Sequence, residues 1–116
     1  MKYNLQDVKD KLFKIYGNGI SNTPQQYGHI NFVYDELIYK IWFNIDESNN
    51  YFAIPHIVDI PHLKFECDEG GDWEAELYPS GKIKGQGSRK NKKIIQHAIE
   101  LFFKALDDVE YQEYLV

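Results

Sequence analysis

Apolar and polar residues alternate from His62 to Gln86 with the period of two that marks half-buried strands. Leu63, Phe65 and Cys67 take one phase and His62, Lys64 and Glu66 the other. Trp73, Ala75 and Leu77 are set in the same way against Asp72, Glu74 and Glu76. Asp68-Glu69-Gly70 and Pro79-Ser80-Gly81 read as three-residue loops, each a type I turn closed by a glycine at positive φ, so the stretch is a three-stranded antiparallel meander. These loops predict a register. Phe65 faces Trp73, Leu63 faces Ala75 and Leu77 faces Ile83 on the inside, while outside Lys64 meets Glu74 and Glu76 meets both His62 and Lys84. One outer pair, Glu66 opposite Asp72, joins like charges beside Asp68 and Glu69.

The rest of the chain supplies a second hairpin and two helices. Asn4 caps a first helix, with Asp7 in an approximate capping box and Leu5, Val8, Leu12 and Ile15 on one face, and Gly17-Asn18-Gly19 stops it. The stretch from Ser21 to Tyr27 is an exposed connection. Ile30, Phe32 and Tyr34 alternate with Asn31 and Val33, Asp35-Glu36 turns the chain, and Leu37, Tyr39, Ile41, Phe43 and Ile45 alternate with Ile38, Lys40, Trp42 and Asn44. Asp46 to Asn50 is a polar turn before a further apolar stretch at Tyr51 to Ile54. Ile54-Pro55-His56-Ile57 is echoed by Ile60-Pro61-His62-Leu63, each proline opening a strand or sitting at a bulge. Gly87-Ser88 caps a long helix whose stripe is Ile94, Ala98, Leu101, Phe102, Ala105 and Leu106. Tyr111, Tyr114 and Leu115 either fold back on the body or fray. The expectation is one α+β domain over residues 1–116, an antiparallel sheet of five to six strands in hairpins flanked by an N-terminal and a long C-terminal helix.

A chain of 116 residues buries enough surface to need no covalent staple, and its single cysteine, in phase with Leu63 and Phe65, is a small buried hydrophobe. No apolar run approaches the ~20 residues of a spanning helix and no signal peptide opens the chain, so the expected location is the cytoplasm. The formal net charge of −5 disfavours nonspecific nucleic-acid binding, which depends on neutralising phosphate. Charge is unevenly spread, with Lys82, Lys84, Arg89, Lys90, Lys92 and Lys93 in one stretch and Asp107, Asp108, Glu110 and Glu113 near the end.

Two places carry candidate chemistry. The first is the acidic corner of Glu66, Asp68, Glu69 and Asp72, where folding alone gives no reason to gather like charges. It is not a calcium loop, because the Asp-x-Asp-x-Asp-Gly string is absent. The second is Gly85-Gln86-Gly87-Ser88 followed by Arg89, Lys90, Lys92 and Lys93, cations at a helix start that a bound anion would relieve. It lacks the spacing of a phosphate-binding P-loop. The four histidines show no metal-ligand spacing, and no serine or cysteine is placed beside one as a nucleophile. Pro61-His62 opening a strand, a glycine hairpin, the turn from Leu77 to Lys82 and a closing helix resemble small bacterial domains of unknown function with a Pro-His-Val-His signature, found near toxin and antitoxin genes. The resemblance covers about half the chain, and Lys64 stands where the signature has its second histidine.

These features point to a monomer or weak dimer without cofactor, metal or assigned catalytic residue. It would bind a basic protein partner such as a nuclease toxin through Glu66, Asp68, Glu69, Asp72 and Trp42, as inhibitors, immunity proteins and antitoxins do. The alternative is a small RNA-acting protein or ribonuclease-like toxin that holds phosphate with Ser88, Arg89, Lys90, Lys92 and Lys93 and moves protons with a histidine.

Overall fold

In the computed structural model, which describes residues 2–17, 26–46, 60–67, 73–86 and 89–116, the alternating segments pair into one antiparallel sheet and both helices cross the same face of it. The elements are α1 (Leu5–Tyr16), β1 (Gln26–Tyr34), β2 (Leu37–Asp46), β3 (His62–Cys67), β4 (Trp73–Leu77), β5 (Ile83–Gln86) and α2 (Arg89–Asp107), followed by a 3₁₀ segment (Val109–Tyr114). The strands lie in sequence order, a meander of five. The α+β class is therefore as the pattern predicts. The proposed Asn18-Gly19 stop, residues 21–25 of the expected connection, the segment from 47 to 59, the loop at 68–72 and the Gly87-Ser88 cap lie outside the described residues, and the last two residues of that connection, Gln26 and Tyr27, instead begin β1.

Local chemistry starts and stops these elements. Asn4 has extended backbone and its side chain accepts the Asp7 N–H at 3.0 Å, which satisfies one of the orphan donors of α1. Gly17 ends the helix at φ 66°, and its N–H donates to the Phe13 carbonyl. β1 and β2 are joined by two residues, Asp35 and Glu36, at φ 49° and 65°, the pair of positive angles required of a type I′ hairpin. Tyr78 to Lys82 closes as predicted: Gly81 sits at φ 94°, its N–H donates to the Tyr78 carbonyl, and the Tyr78 N–H donates to Lys82.

The core lies between the helices and one side of the sheet. Val8 and Leu12 of α1 and the α2 stripe Ile94, Ala98, Leu101, Phe102, Ala105 and Leu106 are buried. They meet Ile30 and Phe32 of β1, Tyr39, Ile41, Phe43 and Ile45 of β2, Leu63, Phe65 and Cys67 of β3, and Trp73, Ala75 and Leu77 of β4. Phe102 sits edge-on to both Phe43 and Phe65, with centroids 4.9 and 5.4 Å away. Cys67 is buried, as its phase implies.

The register of β3 on β4 corrects the sequence expectation. Cys67, not Phe65, faces Trp73. Phe65 faces Ala75, Leu63 faces Leu77, Lys64 faces Glu76, and Glu66 faces Glu74 instead of Asp72. This is a slip of two residues, which keeps every side chain on its predicted face. Packing supplies the reason: the observed alignment sets the largest side chains against small ones, Trp73 on Cys67 and Phe65 on Ala75, whereas the expected one crowds two aromatics beneath Phe102. The β4–β5 pairs Leu77–Ile83 and Glu76–Lys84 stand as expected.

The end of the chain folds back. Leu115 bridges to Ile30, and His29 and Val116 exchange two backbone hydrogen bonds of 3.0 and 2.9 Å, so the C-terminal segment covers the β1 edge. Gly28 permits this approach, since a Cβ there would lie 2.4 Å from the Val116 carbonyl oxygen. The Tyr16 hydroxyl donates to the same oxygen at 3.4 Å.

Tyr3, just before α1, closes one end of the β3–β4 ladder. Its hydroxyl donates to the Leu77 carbonyl and accepts the Leu63 N–H at 3.1 Å, bridging the last pair of the β3–β4 ladder. Burial pushes this phenol up to about 12, with the Leu63 N–H acting in the opposite direction, and burial does the same to Tyr16. An unfolded tyrosine loses its proton near pH 10. The stabilisation carried by these neutral phenols is therefore complete below pH 10 and is lost as the pH rises toward 12.

Two predictions follow from these contacts. Tyr3→Phe leaves a buried carbonyl and N–H without partners, so urea unfolding at pH 7 should show a loss of about 1–3 kcal/mol, and the decline in stability above pH 10 should be shallower than in the parent. Glu36→Gly removes a left-handed conformation costing about 1–2 kcal/mol for a side chain, against roughly 0.5–1 for the added freedom of glycine, so the unfolding midpoint should rise by the equivalent of about 0.5–1 kcal/mol.

Candidate functional site

Opposite the helices, the outer phase of the strands forms a polar face. Because the register of all five strands is known, this face can be written as rows running across the sheet. Val33 and Ile38 face each other nearest the Asp35-Glu36 turn, and Asn31 and Lys40 follow. Next come His29, Trp42, Glu66 and Glu74, then Asn44, Lys64, Glu76 and Lys84, and last Asp46 and His62.

Apolar and aromatic groups hold the β1–β2 end. Val33 and Ile38 are 65% and 73% exposed, a cross-strand apolar pair left in solvent. Trp42 is half-buried. The His29 ring meets it edge-on at 4.8 Å, and the Lys40 ammonium lies 4.8 Å from its centroid. Desolvation, reinforced by the Lys40 charge, lowers the His29 pKa and favours the neutral ring. The notion of Trp42 on the face opposite Phe43 is thus realised in the fold, and the sequence had not paired it with His29.

Carboxylates dominate the β3–β4 end, and Lys64 is their hub. Its ammonium lies 3.5 Å from Glu66 and 3.6 Å from Glu74. Desolvation alone would lower the Lys64 pKa, but the fields of Glu74, Glu66 and Asp46 outweigh it and raise the pKa above the ordinary lysine value. Glu66 therefore has an internal counter-charge, which removes it from the uncompensated acidic corner expected from the sequence. The expected Glu66–Asp72 repulsion is replaced by Glu66 and Glu74 sharing one lysine. Asp68, Glu69 and Asp72 lie outside the described residues, as does Ser88. Trp42 and Glu66 are brought together as direct cross-strand partners.

His62 is 1% exposed. Its Nδ1 lies 2.7 Å from the Ile60 carbonyl, and its Nε2 lies 3.8 Å from carboxylate oxygens of both Asp46 and Glu76. The ring packs on Tyr78, whose hydroxyl donates to Glu76 at 3.1 Å. The slip in register turned the expected direct pairs His62–Glu76 and Lys64–Glu74 into diagonal ones, and both still reach each other. Such burial suits His62 to holding strands β2, β3 and β4 together.

Elsewhere, α2 begins at Arg89, and Lys92 and Lys93 on its first turns are exposed without an acidic residue beside them in that turn. His97 packs on Phe32 and Tyr34 at the edge of the core. Among the described residues no cluster of histidine, cysteine and carboxylate side chains is arranged to hold a metal ion, and no helix is long and apolar enough to cross a membrane. The chain matches no family model, no curated protein and no solved structure.

The hub makes a prediction. Lys64→Gln should lower stability at pH 7 by about 1 kcal/mol, because Glu66 and Glu74 are left repelling each other across the ladder, and the deficit should shrink at high salt, which screens that repulsion. Paired urea titrations of parent and variant at low and high salt measure it.

Proposed function

We propose that the protein is a binding protein that covers a basic surface of another protein with the helix-free face of its sheet, in the manner of an inhibitor or immunity protein acting on a nuclease. The observation that carries the reading is the combination on that face of a half-buried tryptophan, an exposed Val33–Ile38 pair and a neighbouring block of carboxylates. Interfaces concentrate their binding energy in aromatic anchors ringed by polar groups, and a nuclease presents cations for phosphate. Trp42 is the anchor. Glu74, more exposed than Glu66, offers charge to a partner, and Asp68, Glu69 and Asp72 add to it in the chain between Cys67 and Trp73.

Immobilised parent protein should capture from its source cells a basic protein whose nuclease activity it suppresses. Trp42→Ala should weaken that capture by about 2 kcal/mol or more and Glu74→Lys should slow association, with circular dichroism unchanged. Capture that ignores both substitutions would overturn the reading. RNA degradation by the pure protein, lost on neutralising Arg89, Lys90, Lys92 and Lys93, would replace it with the RNA-acting alternative.

A further inference from the structure

On the side of the sheet away from β1, the layer under α2 stops one strand short. Ile83 belongs by parity to the helix-facing phase, paired with buried Leu77, yet it is 52% exposed. Beside it, a cleft of about 330 Å³ runs between β5 and α2, walled by Trp73, Ile83 and Gly85 on the sheet and by Lys92, Ile95 and Ile99 on the helix. Its floor is mostly apolar.

Among the described residues nothing pairs with the outer side of the β5 backbone. The alternation begun by the bond from the Tyr78 N–H to the Lys82 carbonyl turns the N–H and C=O of Ile83 and Gly85 away from β4, and among the described residues no strand lies beyond β5. The β1 edge, by contrast, is covered by the chain's own C-terminal segment. Trp73 is 3% exposed, and its indole N–H, buried at the wall of the cleft, has no acceptor among the described residues. A buried donor without a partner is destabilising, and an incoming acceptor would relieve it. Gly85 keeps the wall open. A Cβ there would lie 2.9 Å from the Glu74 carbonyl oxygen and 3.1 Å from the Trp73 ring.

Charge selects the occupant. Lys82, Lys84, Lys92 and Lys93 are all exposed around this edge, and the first turn of α2 contains no acidic residue. We propose that β5 and its cleft bind an extended acidic segment of another protein by strand addition. Its backbone pairs with Ile83 and Gly85, alternate apolar side chains enter the cleft, and its carboxylates face the lysines. Apart from Lys84, which also ends a row of the helix-free face, this surface is separate from that face, and it does not depend on Trp42.

The test uses the full chain and a short fluorescent peptide alternating glutamate with valine or isoleucine. Saturable binding is expected, with backbone amide shifts confined to β5 and the first turns of α2. N-methylation of alternate peptide nitrogens should abolish it, because strand pairing needs those donors. Lys92→Glu with Lys93→Glu should weaken it about tenfold, and these exposed reversals favour the helix dipole and so leave folding intact. The proposal fails if there is no saturable binding up to millimolar peptide, if a lysine-for-glutamate peptide binds equally well, if N-methylation changes nothing, or if the edge is instead occupied by a second copy of the chain in solution. Loss of Trp42 should leave the peptide affinity unchanged, which separates this outcome from that of the helix-free face.

Discussion

The edge-on contacts of Phe102 with Phe43 and Phe65 set the inside of this protein. One ring from α2 touches the central positions of β2 and β3, and Tyr16 of α1 touches the same Phe43. Both helices are thereby committed to one face. Strand alternation then fixes the other face as the place for Trp42, Asn44, Lys64 and Glu76 without any further choice. The polar face exists because the apolar face is satisfied.

That face is not held by simple charge alternation. Lys64 serves several carboxylates, Glu76 lies between His62 and Tyr78, and His62 spans Asp46 and Glu76. An arrangement of this kind limits what a partner can gain from electrostatics, because an ammonium approaching Glu66 competes with one already in place. Apolar anchoring is not subject to that competition. In the proposed complex this favours the Trp42 and Val33–Ile38 end as the source of affinity, with the carboxylates steering approach.

Side-chain parity was legible in the sequence because alternation is a local property: Tyr39, Ile41, Phe43 and Ile45 are all buried, as their phase implies. So were the α2 stripe, the Asn4 cap and the Gly81 turn. The β3–β4 register was not, since a slip of two preserves parity and therefore leaves the hydrophobic pattern unchanged. Only the relative sizes of Trp73, Cys67, Phe65 and Ala75 carried that information, and it becomes decisive once Phe102 is known to press on the same layer. The candidate acidic corner rested on that register and lost Glu66 with it. The Tyr3 bridge and the pairing of Val116 with His29 join residues too distant in sequence for any local pattern to report.

The two sides of the sheet solve the edge problem differently. At β1 the chain supplies its own cover, and Gly28 is the concession that lets the Val116 carbonyl approach. At β5 the devices are a strand of four residues and flanking lysines, which discourage pairing with an identical edge by repulsion. The same lysines do not repel an acidic strand. An edge defended by like charge is closed to copies of itself and open to a segment of opposite sign, so in the proposed complex protection against self-association and selectivity for the partner arise from the same residues.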